Sequence, residues 1–130
     1  MILDTSAVVA LLRAEAEALD FAGAIKSATT RSMSAVSYME AAIVIDSGRS
    51  AVASRRFDEF FRVSAIQVEP VTRRQAEIAR QAYRDFGKGR HKAGLNFGDC
   101  FAYALAKDMD EPLLFKGKDF SHTDVEAAEI

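Results

Sequence analysis

A chain of 130 residues, 49% of them hydrophobic and 28% charged, is sized for one domain spanning 1–130 and is too apolar for disorder. The lone Cys100 excludes an internal disulfide, and with Asp4 and Arg13 interrupting the first apolar residues neither a signal peptide nor a membrane span is expected, so the default reading is cytoplasmic with no membrane partner. The net charge of −2 does not suggest a general nucleic-acid binder, but it is unevenly spread: residues 72–92 carry a balance of +5 and residues 108–130 one of −5.

In chain order, residues 1–4 read as a short buried strand ending on Asp4. Thr5 or Ser6 can cap the helix that follows, whose stripe is Val8, Val9, Leu11 and Leu12. A second helix is expected over about Ala14–Ser27, and 29–33 is rich enough in hydroxyl and β-branched residues for a second short strand. A third helix covers Val36–Asp46, with Gly48 as its C-cap, and a fourth covers Ala51–Val63 with Phe57, Phe60 and Phe61. The short link between these two helices makes an antiparallel hairpin; the aromatics either pack its core or leave a surface for a partner helix.

Ser64–Val71 reads as a third strand, and Thr72 caps a helix running to about Phe86. Gly87–Phe97 is the one long loop, Asp99–Lys107 a tightly apolar helix, Pro112–Phe115 a fourth strand and Val125–Ala128 a possible fifth. Strands alternating with helices imply right-handed crossovers and a mostly parallel sheet covered on both faces.

The acids stand out against this frame. Asp4 follows an apolar strand, and open α/β sheets build sites beyond their strand ends. Asp4 could cap the first helix, but Thr5 and Ser6 are available for that, and the Ser6 hydroxyl could hydrogen-bond the acid. Glu40 is the one charge in the run Val36–Ile45, so it must be paired, liganded or reaching out to water. Asp99 opens an apolar helix after Gly98, which lets backbone approach closely; helix capping is the competing reading. Asp119 follows the fourth strand as Asp4 follows the first, against a plain turn aspartate beside Gly117, and Asp124 is the substitute if the register differs.

Such carboxylates, brought to one end of a sheet, would repel each other unless divalent cations sat between them. Carboxylate donors without Cys/His ligand spacing suit Mg²⁺ or Mn²⁺ and argue against zinc. That points to metal-assisted phosphoryl chemistry, in which a metal-activated water attacks a phosphodiester. The basic flank of Arg73, Arg80, Arg84, Lys88, Arg90 and Lys92 then either holds a polyanion over the metal or is an ordinary solvated helix face. Cys100 reads as a small buried hydrophobe, and His122 as a surface residue near Asp119.

The runs Ile2-Leu3-Asp4-Thr5-Ser6-Ala7, Gly94-Leu95-Asn96-Phe97-Gly98-Asp99-Cys100 and Leu114-Phe115-Lys116-Gly117-Lys118-Asp119-Phe120, with the helical Glu40 between them, resemble the PIN-domain ribonucleases. More narrowly they are similar to the VapC toxins of bacterial type II toxin–antitoxin pairs. The resemblance spans nearly the whole chain. It implies a three-layer α/β/α PIN-like domain with a central, mostly parallel sheet of four to five strands. It also implies Mg²⁺- or Mn²⁺-dependent endoribonuclease activity, a cognate VapB-type antitoxin occupying the active-site groove, a homodimer and a toxin–antitoxin hetero-oligomer. Asp4 and Asp99 map to the family's main metal-holding acids, Glu40 to the third, Asp119 to the more variable fourth, and Ser6 to the supporting hydroxyl. The role of Asp124 stays open. The alternative from another class is a non-catalytic PIN-like scaffold or binding module, against which four intact, mutually repelling acids count.

Overall fold

The computed structural model describes residues 1–130. It contains β1 (Ile2–Leu3), α1 (Thr5–Leu12), α2 (Ala18–Ser27), β2 (Ser32–Ser34), α3 (Ala35–Asp46), α4 (Ala51–Ser64), β3 (Gln67–Glu69), α5 (Arg73–Phe86), α6 (Phe97–Met109) and β4 (Leu113–Leu114), followed by a 3₁₀ turn at Phe120–His122. The strands form one sheet in the order β3-β2-β1-β4, every pair parallel. Ile2 stands opposite Ser32 on one side and Leu113 on the other.

The strands are short; β1, β2 and β4 are buried while the edge strand β3 is largely exposed, and the period-2 alternation of the buried strands splits the core into two layers. Met1, Leu3, Met33 and Leu114 point to the layer closed by α1–α4, with Phe21, Ile45 and Phe57. Ile2 and Leu113 point to the layer closed by α5 and α6, with Leu95, Tyr103, Leu105 and Phe120. This is the three-layer α/β/α arrangement expected above. Because β2 and β3 lie to one side of β1 and β4 to the other, the strand order reverses at β1/β4. The crevice beyond the carboxyl ends at that point is where open sheets bind ligands.

Several element boundaries differ from the sequence reading. Ala14 adopts a left-handed conformation (φ 51°) after α1, so α2 begins only at Ala18. Ala65 does the same (φ 51°) after α4, shortening β3 to Gln67–Glu69. Ser47 rather than Gly48 caps α3. The possible fifth strand is a single parallel bridge between Leu113 and Ala127. Phe57, Phe60 and Phe61 pack with Tyr38 across the α3/α4 hairpin at centroid separations of 4.9–5.5 Å, so this aromatic set serves the core. No helix is long and apolar enough to cross a membrane.

Candidate active site

Asp4 leaves β1 with extended backbone (φ −83°, ψ 157°), and its Oδ2 accepts from the Ser6 N–H (3.0 Å) and the Ser6 hydroxyl (2.6 Å). Asp4 is therefore the N-cap of α1, where the sequence assigned that role to Thr5 or Ser6. Helical geometry already begins at Thr5, so only Asp4 retains the extended backbone from which a side chain reaches the second and third N–H groups. Capping and site roles coexist, because the cap engages Oδ2 alone. The Ser6 hydroxyl also accepts from the Lys116 N–H (3.0 Å), tying the exit of β1 to the exit of β4. Asp4 itself is only 4% exposed.

Glu40 sits half-buried on α3, and its Oε1 accepts from the Thr5 hydroxyl (3.1 Å), which also reaches the Ser37 carbonyl (3.0 Å). The carboxylate lies directly over Gly98 in the first turn of α6. A Cβ there would stand 2.1–2.2 Å from the Glu40 carboxylate atoms. The glycine before Asp99 thus provides the close approach its sequence position suggested, and the group approaching is Glu40.

Asp99 occupies the third position of α6 in a capping box. Its Oδ2 accepts from the Asn96 N–H (3.0 Å), while the Asn96 Oδ1 accepts from the Asp99 N–H (2.9 Å). The helix begins at Phe97, not at Asp99, because Asn96 is the cap. Asp119 follows β4 at the start of the 3₁₀ turn and is exposed.

These acids feel one another. Desolvation is the main cause that pushes the Asp99 carboxyl up to about 6; the Asn96 hydrogen bond opposes it, and the charges of Asp4 and Asp119 add to it. Glu40 is raised by desolvation, against the Thr5 hydrogen bond, with Asp99 adding. Burial likewise raises Asp4, against the two Ser6 hydrogen bonds, with Glu40 adding. No Lys, Arg or His forms an ion pair with any of the four; every ion pair of the chain lies elsewhere.

Carboxylates that are desolvated, mutually repelling and unmatched by a cation suit a hard divalent ion. The chain holds no ready-made group of three or more His, Cys, Asp or Glu side chains around one point. This still fits Mg²⁺, which dehydrates reluctantly and is held through one or two carboxylates with water and substrate phosphate completing its shell.

A pH effect follows from the raised carboxyls. Asp99 titrates at its ordinary 3.8 when unfolded and at about 6 when folded, so between those values the folded state holds more protons. Folding is therefore favoured as pH falls through that window, and Asp4 and Glu40 act in the same direction. In chelator-containing buffer the melting temperature should rise as pH is lowered from 7 to 5, and Asp99→Asn should flatten the rise. A wild-type melting temperature that falls over this interval would contradict the picture.

Asp124 lies outside this group: its carboxylate accepts from the Tyr103 hydroxyl (2.5 Å) and pairs with Lys107 (3.2 Å), fastening the C-terminal segment to α6. Burial pushes the Cys100 thiol up to about 11, leaving it protonated at neutral pH. His122 is exposed in the 3₁₀ turn, and His91 caps its own loop through Nδ1, which accepts from the Ala93 N–H (3.0 Å).

Helix α5 runs antiparallel to α6, as the Arg74–Asp108 pair (2.7 Å) at one end and Tyr83 beside Phe97 at the other show. Arg80, Arg84, Lys88 and Arg90 consequently lie toward the acidic end of α6, with Lys92 following in the same loop. Arg73 lies at the far end of α5, paired with Glu77 (3.1 Å).

Thr5 and Asn96 are the residues the sequence reading did not place at the site. Their signal was present: a hydroxyl directly after Asp4, and an Asn three residues before an Asp, the spacing of a reciprocal cap. Ser37 is a further one, fully buried with its hydroxyl unpartnered beside the Thr5 contact.

The chain matches the PIN domain family over residues 1–126. It is 56% identical over 129 residues to ribonuclease VapC28 of Mycobacterium tuberculosis, covering 98% of this chain and 97% of the relative. It is 49% identical over 127 residues to ribonuclease VapC of Mycolicibacterium smegmatis, covering 98% of each. Among solved structures, Mycobacterium tuberculosis VapC20, a sarcin–ricin loop cleaving toxin, superposes with a TM-score of 0.73 at 20% identity, covering 95% of each chain. A toxin–antitoxin complex from Klebsiella pneumoniae superposes with a TM-score of 0.71 at 16% identity, covering 95% of this chain and 92% of that one. At these identities the two structures establish the shared fold.

Proposed function

This chain belongs to the PIN-domain family, among the VapC ribonucleases, and from that premise we propose that it is the toxin of a type II toxin–antitoxin pair, cleaving RNA with Mg²⁺ or Mn²⁺ at the Asp4–Glu40–Asp99–Asp119 cluster. The observation that carries the site is the Glu40 carboxylate packed against Gly98, one residue before Asp99, with the buried Asp4 at the exit of β1 and no protein cation paired with any of these acids. Ribonuclease relatives aligned over nearly the full chain set aside the scaffold reading.

Each acid has a distinct position in the proposed chemistry. Asp4 and Asp99 present carboxylates from the end of β1 and the start of α6 and would hold the ion. Glu40, steadied by Thr5, and Asp119 would complete the set from either side. A divalent ion bound here would lower the pKa of a water to generate hydroxide and withdraw charge from the phosphodiester. Ser6 is a positioning residue: it donates to Asp4 and accepts from Lys116, fixing the acid relative to the β4 exit. Arg80, Arg84, Lys88, Arg90 and Lys92 would bind the RNA backbone, with Arg73 a more distant contact.

The proposed partners are RNA, a cognate VapB-type antitoxin and a second copy of the chain in a homodimer, the assembly forming a hetero-oligomer. The fold shared with the toxin–antitoxin complex from Klebsiella pneumoniae supports the antitoxin reading.

Metal dependence has a direct check. Protein stripped by EDTA should leave total cellular RNA intact, and adding Mg²⁺ or Mn²⁺ back should restore discrete fragments. The same ions should raise its melting temperature by linkage, at one hundred times the dissociation constant by about 2.7 kcal/mol of added stability. Undiminished cleavage in excess EDTA would reject the metal-dependent reading.

A further inference from the structure

A groove of about 370 Å³ lies between α5 and α6, next to the turn that carries Asp99. That volume falls within the ~300–1,000 Å³ span of small-ligand clefts. Ala79 and Cys100 line it as buried residues, and Phe97, Tyr83 and Arg80 as exposed ones. Phe97 is 74% exposed, although it lies one residue from Gly98 and two from Asp99. Its ring makes a T-shaped contact with Phe101 (centroids 5.0 Å apart), and most of the side chain stays open to solvent. Tyr83 is 45% exposed, with the Arg90 guanidinium 5.5 Å from its ring centroid.

An exposed aromatic costs hydration, and two of them facing a small apolar floor beside arginines form a surface of particular chemistry. Flat apolar rings with guanidinium groups at the rim match a nucleobase joined to a phosphate. An apolar helix would leave Arg80 and Arg90 without counter-charges, whereas a polynucleotide supplies them. We propose that this groove is a base-stacking subsite for single-stranded RNA: an unpaired base, one or two nucleotides from the phosphodiester over the acids, stacks on Phe97 and Tyr83 while Arg80 and Arg90 hold its phosphate. This rests on the ribonuclease reading above and adds which residues would grip the base beside the phosphodiester that is cut.

The test uses the full chain and a fluorescently labelled, unstructured RNA oligonucleotide of mixed sequence, with EDTA present so that binding is read without cleavage. Phe97→Ala should weaken binding by about tenfold or more, the scale of losing one base–aromatic stack, while Phe97→Trp keeps it. The loss should be much smaller for a duplex of the same sequence, whose bases are already stacked. Arg90→Ala should reduce the salt dependence by about one counterion. Circular dichroism verifies that each variant is folded.

Equal affinity of wild type and Phe97→Ala for the single strand, or an equal loss for duplex and single strand, overturns the proposal. A Phe97→Ala protein that changes its oligomeric state or antitoxin binding with RNA affinity intact overturns it too, and makes the groove a protein interface. The ribonuclease reading fails separately: it is read from wild-type cleavage with metal, which can succeed whatever Phe97 does.

Discussion

Asp99→Ala should lower metal-dependent RNA cleavage by roughly 10²–10³-fold or more, the scale of deleting a single preorganised electrostatic group, in a domain that still folds. Asp99 is the acid that couples to Asp4, Glu40 and Asp119 alike, so its loss dismantles the cluster from the centre. The structural cost is small. Asn96 keeps its own bond to the backbone of residue 99, and only the reciprocal half of the capping box is lost. Removing a desolvated carboxyl that repels three others offsets part of that loss in metal-free buffer.

Asp99→Asn is the sharper companion, because it keeps shape and hydrogen-bonding capacity and removes the charge. It should be as inactive as the alanine variant and at least as heat-stable as wild type at pH 7 without metal. Both should lose the melting-temperature rise on adding Mg²⁺. Cleavage at the wild-type rate by folded Asp99→Ala would refute the assignment of the site.

Gly98→Ala should leave the melting temperature near that of wild type and yet cut cleavage by roughly 10–100-fold, the effect expected when a supporting contact to the metal-holding groups is displaced. The added Cβ would overlap the Glu40 carboxylate at 2.1–2.2 Å, and the carboxylate, as the end of a flexible side chain, is what gives way. Its movement breaks the Thr5 hydrogen bond, a loss of about 0.5–1.5 kcal/mol. The gain from alanine over glycine in a helix is about 0.8–1.0 kcal/mol, so the two nearly cancel. A double-mutant cycle isolates the mechanism: in a Glu40→Ala background, Gly98→Ala should have little further effect on cleavage. A full additional loss there would show that Gly98 acts through something other than Glu40.

Much of this site was legible in the chain because its acids sit where local rules make them conspicuous. Asp4 and Asp119 follow apolar strands, Glu40 is the only charge in a long apolar helical run, and Asp99 is preceded by a glycine. Each observation is local, and the parallel α/β alternation that joins them follows from periodicity. The errors were local as well. Thr5 and Ser6 already lie inside α1, so the cap falls to Asp4, and the reciprocal Asn96–Asp99 cap starts α6 at Phe97, two residues before the acid. Left-handed turns at Ala14 and Ala65 carry no glycine to announce them.

By itself, then, the sequence determined the fold class, the order of strands and helices along the chain and the identity of the four candidate acids. These depend on residue type and spacing, which neighbouring side chains along the chain express directly. Only the tertiary structure decided which groups meet. The order β3-β2-β1-β4 puts the ends of β1 and β4 side by side, and the packing of α3 on α6 lays Glu40 over Gly98. The antiparallel α5/α6 pair carries Arg80 and Arg90 toward the acidic end and Arg73 away from it. Burial, the coupling that raises Asp99 and the exposure of Phe97 come from contacts between residues far apart in the chain, and no local pattern encodes those distances.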